Sequence, residues 1–289
     1  MSHLLLAVAC SVAVAAIFKV AELRGLDRMT VITANYAAAA AISAGLRGGV
    51  GLGDLPLGLV ALAVVQGALF IAGYAWFAAA IRRAGVGLAT AVMRLSVVVP
   101  VGASWAVWRE PPTPLQILGL VLGGAAVILV SLPGRAAPPT AGPASPRRGR
   151  TLLLAALFVT AGAVDTINKA FDEHFAEGAS KADFLFVVFL VALGLGLPIA
   201  IRNARDRSRP PAGRSITTGL LLGTVNYGSA HFLLAAVADL SGPVVFPANG
   251  IAVLLGAALL GAIVWGERPS RPAQLGLAAA VAALACLAG

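Results

Sequence analysis

Residues 163–172, AVDTINKAFD, set Asp165, Asn168, Lys169 and Asp172 at the i, i+3, i+4, i+7 spacing of one helix face, inside an otherwise apolar run. A charge at the centre of a bilayer costs about 2.5–3.5 kcal/mol on insertion scales, so such groups face a wet cavity or one another rather than lipid. Arg94, in TAVMRLSVV, has no acid three or four residues to either side and cannot shed its proton. A guanidinium fork at that depth suits a carboxylate or phosphate; the alternative is a fixed pair with Asp165. Asn35, Tyr74, Asn226, Tyr227, His231 and Asn249 fall at comparable depths and are the groups that would orient the rest of a ligand. Each asparagine serves equally well as a hydrogen-bonded bridge between helices.

Asp165 and His231 are the candidates for proton coupling, because a carboxyl group and an imidazole can gain and lose a proton during a transport cycle. Lys19, Asn168 and Lys169 form a candidate charge network. Lys169 is expected to neutralise Asp165 at i+4 or to reach the outer interface, and Lys19 either snorkels to the inner rim or takes part in function. Catalysis finds no comparable support. The sequence has no HExxH, GxSxG or GxxxxGK[ST] pattern, and His3, His174 and His231 are far apart. No enzyme activity, metal, cofactor or direct use of ATP is therefore expected.

The elements that must position these groups are membrane helices. The chain of 289 residues is 59% hydrophobic and 11% charged, with a mean hydropathy of +0.92; soluble domains carry about 25% charged residues. Ten apolar runs, near 2–22, 29–47, 56–81, 85–108, 113–132, 151–174, 182–201, 215–238, 241–265 and 271–288, approach the ~20 residues that cross a bilayer as a helix. Uniform Ala, Leu, Val and Gly runs exclude a barrel of alternating strands. The first run lacks a basic leader and is expected to remain as a span. Cys10 and Cys286 lie inside spans and read as small packing residues.

Net charge is +9, and its placement matters more than its size. Assigning loops alternately to two sides leaves Arg47, Arg109 and Lys181 on one side and fifteen arginines on the other, from Arg24 and Arg28 to Arg268 and Arg271. The positive-inside rule puts the fifteen in the cytoplasm and both termini outside. Topology thus accounts for the basic surplus, and no nucleic-acid partner is expected.

A polar, proline-rich stretch, residues 133–150, reads as a cytoplasmic linker between a first repeat, 1–132, and a second, 151–289. A shift of 157 lays VWREPPTPLQILGLVLGGAA on VWGERPSRPAQLGLAAAVAA, matching Val107, Trp108, Glu110, Pro112 and Gly119 with Val264, Trp265, Glu267, Pro269 and Gly276. A shift of 150 lays Lys19 on Lys169. Five helices per half is an odd number, so equivalent helices run in opposite directions. The expected fold is all-α, ten transmembrane helices in two inverted five-helix repeats, an arrangement used by secondary transporters around a midplane site. Pro100 and Pro247 predict interruptions in the fourth and ninth spans. Gly219 and Gly223, one turn apart, predict close packing of the eighth.

The two WxE segments, each followed by a short polar turn and a Gly-containing last helix, resemble the EamA type of the drug/metabolite transporter superfamily, as does the late lysine of AAIFKVAE. The resemblance covers almost the whole chain. It implies an exporter or importer of small metabolites, amino acids or drugs in a bacterial-type inner membrane, as monomer or homodimer. From the residues, the expected cargo is a small polar, zwitterionic or anionic metabolite, moved by alternating access; export as the preferred direction is what the resemblance implies. A channel or lipid flippase of the same architecture is the alternative.

Overall fold

Hydropathy drives nearly every residue of this chain into helix. The computed structural model describes residues 1–49, 51–53, 55–132, 147–204 and 212–289. It contains α1 (Ser2–Leu23), α2 (Arg28–Arg47), α3 (Leu57–Ala84), α4 (Val86–Leu95), α5 (Val98–Ala106), α6 (Pro114–Ser131), α7 (Arg147–Phe175), α8 (Lys181–Ala204), α9 (Ala212–Asp239), α10 (Gly242–Trp265) and α11 (Arg271–Ala288). Taken with α4 and α5 as one span, ten helices among the described residues are long and apolar enough to cross a membrane. Their ends fall within a few residues of the hydropathy boundaries. Most of the proline-rich linker, Asp54, Arg135, Arg205, Arg207 and Arg209 lie outside the described residues, and α7 begins inside the expected linker at Arg147.

The interruption expected in the fourth span is present, displaced toward the N-terminus of Pro100. A proline ring excludes the carbonyl four residues back and offers no N–H to it; that carbonyl belongs to Ser96. The chain closes there by tighter bonds instead, Val97 N–H to Arg94 O at 3.4 Å and Val99 N–H to Ser96 O at 2.9 Å, while Ser96 Oγ donates to Met93 O at 2.6 Å. The expectation for the ninth span is corrected: α10 runs unbroken through Pro247. That ring reaches back only to Pro243 in the first turn, where the helix has little ladder to lose.

By packing, the helices sort into two compact units. One comprises residues 1–71 and 170–239, the other 72–169 and 240–289, so each draws on both halves of the sequence. In the first unit, α9 lies close on α2. A Cβ on Gly219 would collide with the Val31 carbonyl, and one on Gly223 with that of Asn35, the close approach that small residues permit. Phe171 stacks on Phe184 with centroids 4.5 Å apart, and Arg47 Nε donates to Asp183 Oδ1 at 2.8 Å with its guanidinium over the Phe186 ring.

In the second unit, α6 and α11 pack reciprocally. A Cβ on Gly119 would lie 3.1 Å from Ala283 O, and one on Gly276 would lie 2.9 Å from Ala126 O. These are the same two positions exchanged by the shift of 157. An early residue of each helix meets a late residue of the other, so the pair is antiparallel and related by a local two-fold. The helices start alike as well: Thr113 and Ser270 cap them by accepting from Gln116 N–H and Ala273 N–H.

Candidate functional site

The second unit carries Arg94, Glu110, Asp165 and Lys169. On α7, Asn168 and Lys169 are buried, 7% and 3% exposed. Lys169 Nζ donates to Glu110 Oε1 at 2.9 Å, which corrects its expected pairing with Asp165 one turn away. The other carboxylate oxygen, Oε2, accepts from Gly242 N–H at 2.8 Å, at the N-terminus of α10. One acid therefore neutralises a buried ammonium and occupies a helix N-terminus, where backbone donors lack intrahelical partners. Gly242 is required for this approach, because a Cβ there would collide with Ser104 Oγ. Glu110 is placed by its own backbone: Arg109 takes a left-handed φ of 57°, and Glu110 N–H donates back to Ser104 O at 3.0 Å.

Arg94 ends α4, immediately before the Ser96 break, and α7 passes beside that break. A Cβ on Gly162 would lie 3.0 Å from Ser96 O and 2.6 Å from Val99 Cβ. Asp165, one turn further along α7, is the acid whose charge acts on Arg94. Among the described residues the two form no ion pair within bonding distance, and Arg94 Nε is buried with no hydrogen-bond acceptor. The fixed Arg94–Asp165 pair considered from the sequence is thus not made. Arg94 also lines a cleft of about 210 Å³ formed by α4, the α4–α5 break, α5, α6 and α10. Asn249 stands beside the cleft residue Gly250, with its Oδ1 buried and unbonded among the described residues. Tyr74 is on the part of α3 that belongs to this unit.

The remaining candidates belong to the first unit. Tyr227 and His231 share one face of α9, as the spacing predicts: their rings stack with centroids 5.6 Å apart, and Tyr227 OH lies 3.3 Å from His231 Nδ1. Asn226 precedes them on α9. Asn35 of α2 is 4% exposed, with an Oδ1 that finds no hydrogen-bond partner among the described residues. Lys19 is part-buried near the end of α1.

Candidate residues are therefore divided between units: Tyr74, Arg94, Asp165, Asn168, Lys169 and Asn249 in one, Lys19, Asn35, Asn226, Tyr227 and His231 in the other. Sequence reasoning missed Glu110 as the partner of Lys169, although the WxE match had already marked the position. Among the described residues no group of three or more His, Cys, Asp or Glu side chains is arranged to hold a metal ion.

Comparison with known proteins bears on the fold and on the first half of the chain. Residues 1–132 match the EamA-like transporter family. An uncharacterised protein of Haemophilus influenzae is 25% identical over 301 residues, a match covering 99% of this chain and 97% of that protein. One solved crystal structure, 17% identical in sequence, superposes with a TM-score of 0.76 over 100% of this chain and 98% of its own. That likeness establishes a shared fold.

Proposed function

We propose that this chain, whose residues 1–132 match the EamA-like transporter family of the drug/metabolite transporter superfamily, is a multi-pass membrane protein acting as a secondary carrier of a small metabolite bearing an anionic group. The observation that carries the reading is Arg94: a guanidinium in a membrane span, with Nε buried and unbonded, on the wall of a cleft. A buried guanidinium nitrogen with no acceptor is costly unless a ligand supplies one. Carboxylates fit the guanidinium fork with two parallel hydrogen bonds.

In this reading Arg94 holds the anionic group, while Asn249 and Tyr74 in the same unit, and Asn35, Asn226, Tyr227 and His231 in the other, orient the remainder at different stages of the cycle. Alternating access by two inverted halves is the proposed mechanism. The reciprocal antiparallel packing of α6 and α11 supports it, as does the identical local backbone of the two WxE turns. Asp165 or His231 is the proposed proton carrier, export the proposed direction, and a bacterial-type inner membrane with both termini outside the proposed setting. We assign repeat domains to 1–132 and 151–289, joined by a cytoplasmic linker.

Proteoliposomes test this directly. Radiolabelled carboxylates and amino acids should show saturable counterflow in wild type, reduced about tenfold or more in Arg94→Ala, the size of one lost charge-assisted hydrogen bond. Equal counterflow by both proteins across the panel would end the assignment.

A further inference from the structure

The cleft beside Arg94 narrows the choice between anionic and zwitterionic cargo. Arg94 is the sole charged residue lining it, and the rest of the wall is aliphatic side chains, proline and glycine, including Leu95, Val127, Pro247 and Ile251. Asp165 is not among the lining residues. Nothing in the wall accepts a hydrogen bond from an ammonium group through a side chain. The enclosed volume is about 210 Å³, which suits a small ligand whose body extends toward the mouth. Two residues of the rim, Val98 and Val121, are 58% and 64% exposed, so the mouth itself is apolar.

Building on the proposed role of Arg94, we propose that this cleft binds amphiphilic monoanions: a carboxylate or phosphate on Arg94 and an aliphatic body along α6 and α10, without a cationic substituent. Burial of apolar surface stabilises the body by about 25 cal/mol per Å², whereas an ammonium carried along the same wall would lose its water with no side-chain acceptor among the lining residues. Free organic acids and single-chain lipids share this chemistry. The cleft has a built-in control: Gly250 lines it, and a Cβ added there meets no atom within 4 Å, so Gly250→Leu fills the space with no strain on the helix.

The experiment uses the full chain in a non-ionic detergent, with thermal unfolding and binding calorimetry. The probes are octanoate, octanamide, 2-aminooctanoate, octyl phosphate, lysophosphatidic acid and inorganic phosphate. Octanoate and octyl phosphate should raise the melting temperature of wild type by several degrees, while octanamide, 2-aminooctanoate and inorganic phosphate should not. Arg94→Gln should weaken octanoate about tenfold or more, and Gly250→Leu should abolish its binding without lowering the melting temperature of the unliganded protein. Binding of lysophosphatidic acid as tight as octyl phosphate supports a lipid source; binding of octyl phosphate alone supports a free metabolite. Stabilisation by 2-aminooctanoate equal to that by octanoate, with the same loss in Arg94→Gln, overturns this inference and leaves the carrier reading standing. Octanoate binding unchanged in both variants overturns the inference, whereas the carrier reading fails only if the proteoliposome counterflow of carboxylates and amino acids is equal in wild type and Arg94→Ala.

Discussion

The turn after α5 and the turn after α10 have the same backbone and different uses. Arg109 and Gly266 occupy equivalent positions with φ of 57° and 64°, and Glu110 and Glu267 donate their backbone N–H groups to Ser104 O and Gly261 O at 3.0 and 3.1 Å. The side chains then diverge. Glu110 reaches inward to Lys169 and the first turn of α10, whereas Glu267 is exposed, its carboxylate lying over Gly261 of its own turn. The two turns thus share a way of ending a helix, while Glu110 neutralises a buried charge and Glu267 lies at an exposed position. Backbone geometry survives divergence because many sequences satisfy it; a salt bridge requires two particular residues and is lost or gained by single substitutions.

The largest test of that contrast is Glu110→Gln against Glu267→Gln. The first removes the carboxylate from a lysine whose side chain is 4% exposed, and breaking one partner of a buried pair costs about 3–5 kcal/mol. The second should cost less than about 1 kcal/mol, as exposed charges do. Thermal unfolding of both in one detergent measures the difference, and equal losses would erase the distinction between the turns.

Next come the helices that follow the turns. Gly119→Val and Gly276→Val put the same group into reciprocal contacts, and overpacking of this kind costs about 1–3 kcal/mol. Each single change should lower the melting temperature by a similar amount. A large disparity would mean that the local two-fold is geometric coincidence.

Smallest is the turn residue itself. Arg109→Gly should leave stability unchanged or raise it by up to about 1 kcal/mol, because glycine accepts positive φ without steric cost. Gly266→Ala should lose roughly 1–2 kcal/mol, the cost of a Cβ in the left-handed region. A clear loss in Arg109→Gly would reveal a role for the arginine side chain beyond its backbone.

Much of this was legible beforehand for identifiable reasons. Spans follow from uninterrupted hydropathy, and the α9 face of Tyr227 and His231 from i, i+4 spacing. Gly219 and Gly223 marked a close helix contact because few other reasons place two glycines one turn apart in a span. Arg94 was conspicuous because no acid lay within a turn of it. The partner of Lys169 was not legible: Glu110 is 59 residues away, while Asp165 sits at the favourable local spacing, and local spacing prevails only when no tertiary contact competes. Pro100 and Pro247 look alike in sequence. Their effects differ because one lies mid-span and the other in the second turn of its helix, a boundary set by where Ser241 caps α10.

By itself, then, the order of residues determined which segments are long and apolar enough to cross a bilayer, that two stretches match at a shift of 157, and which polar groups must avoid lipid; those properties depend on local composition and period. Tertiary structure alone decided which buried charge meets which, where the fourth span breaks, and that an arginine is left lining an apolar cleft. Such outcomes depend on distances between segments remote in sequence, and a one-dimensional pattern carries no information about them until the helices have packed.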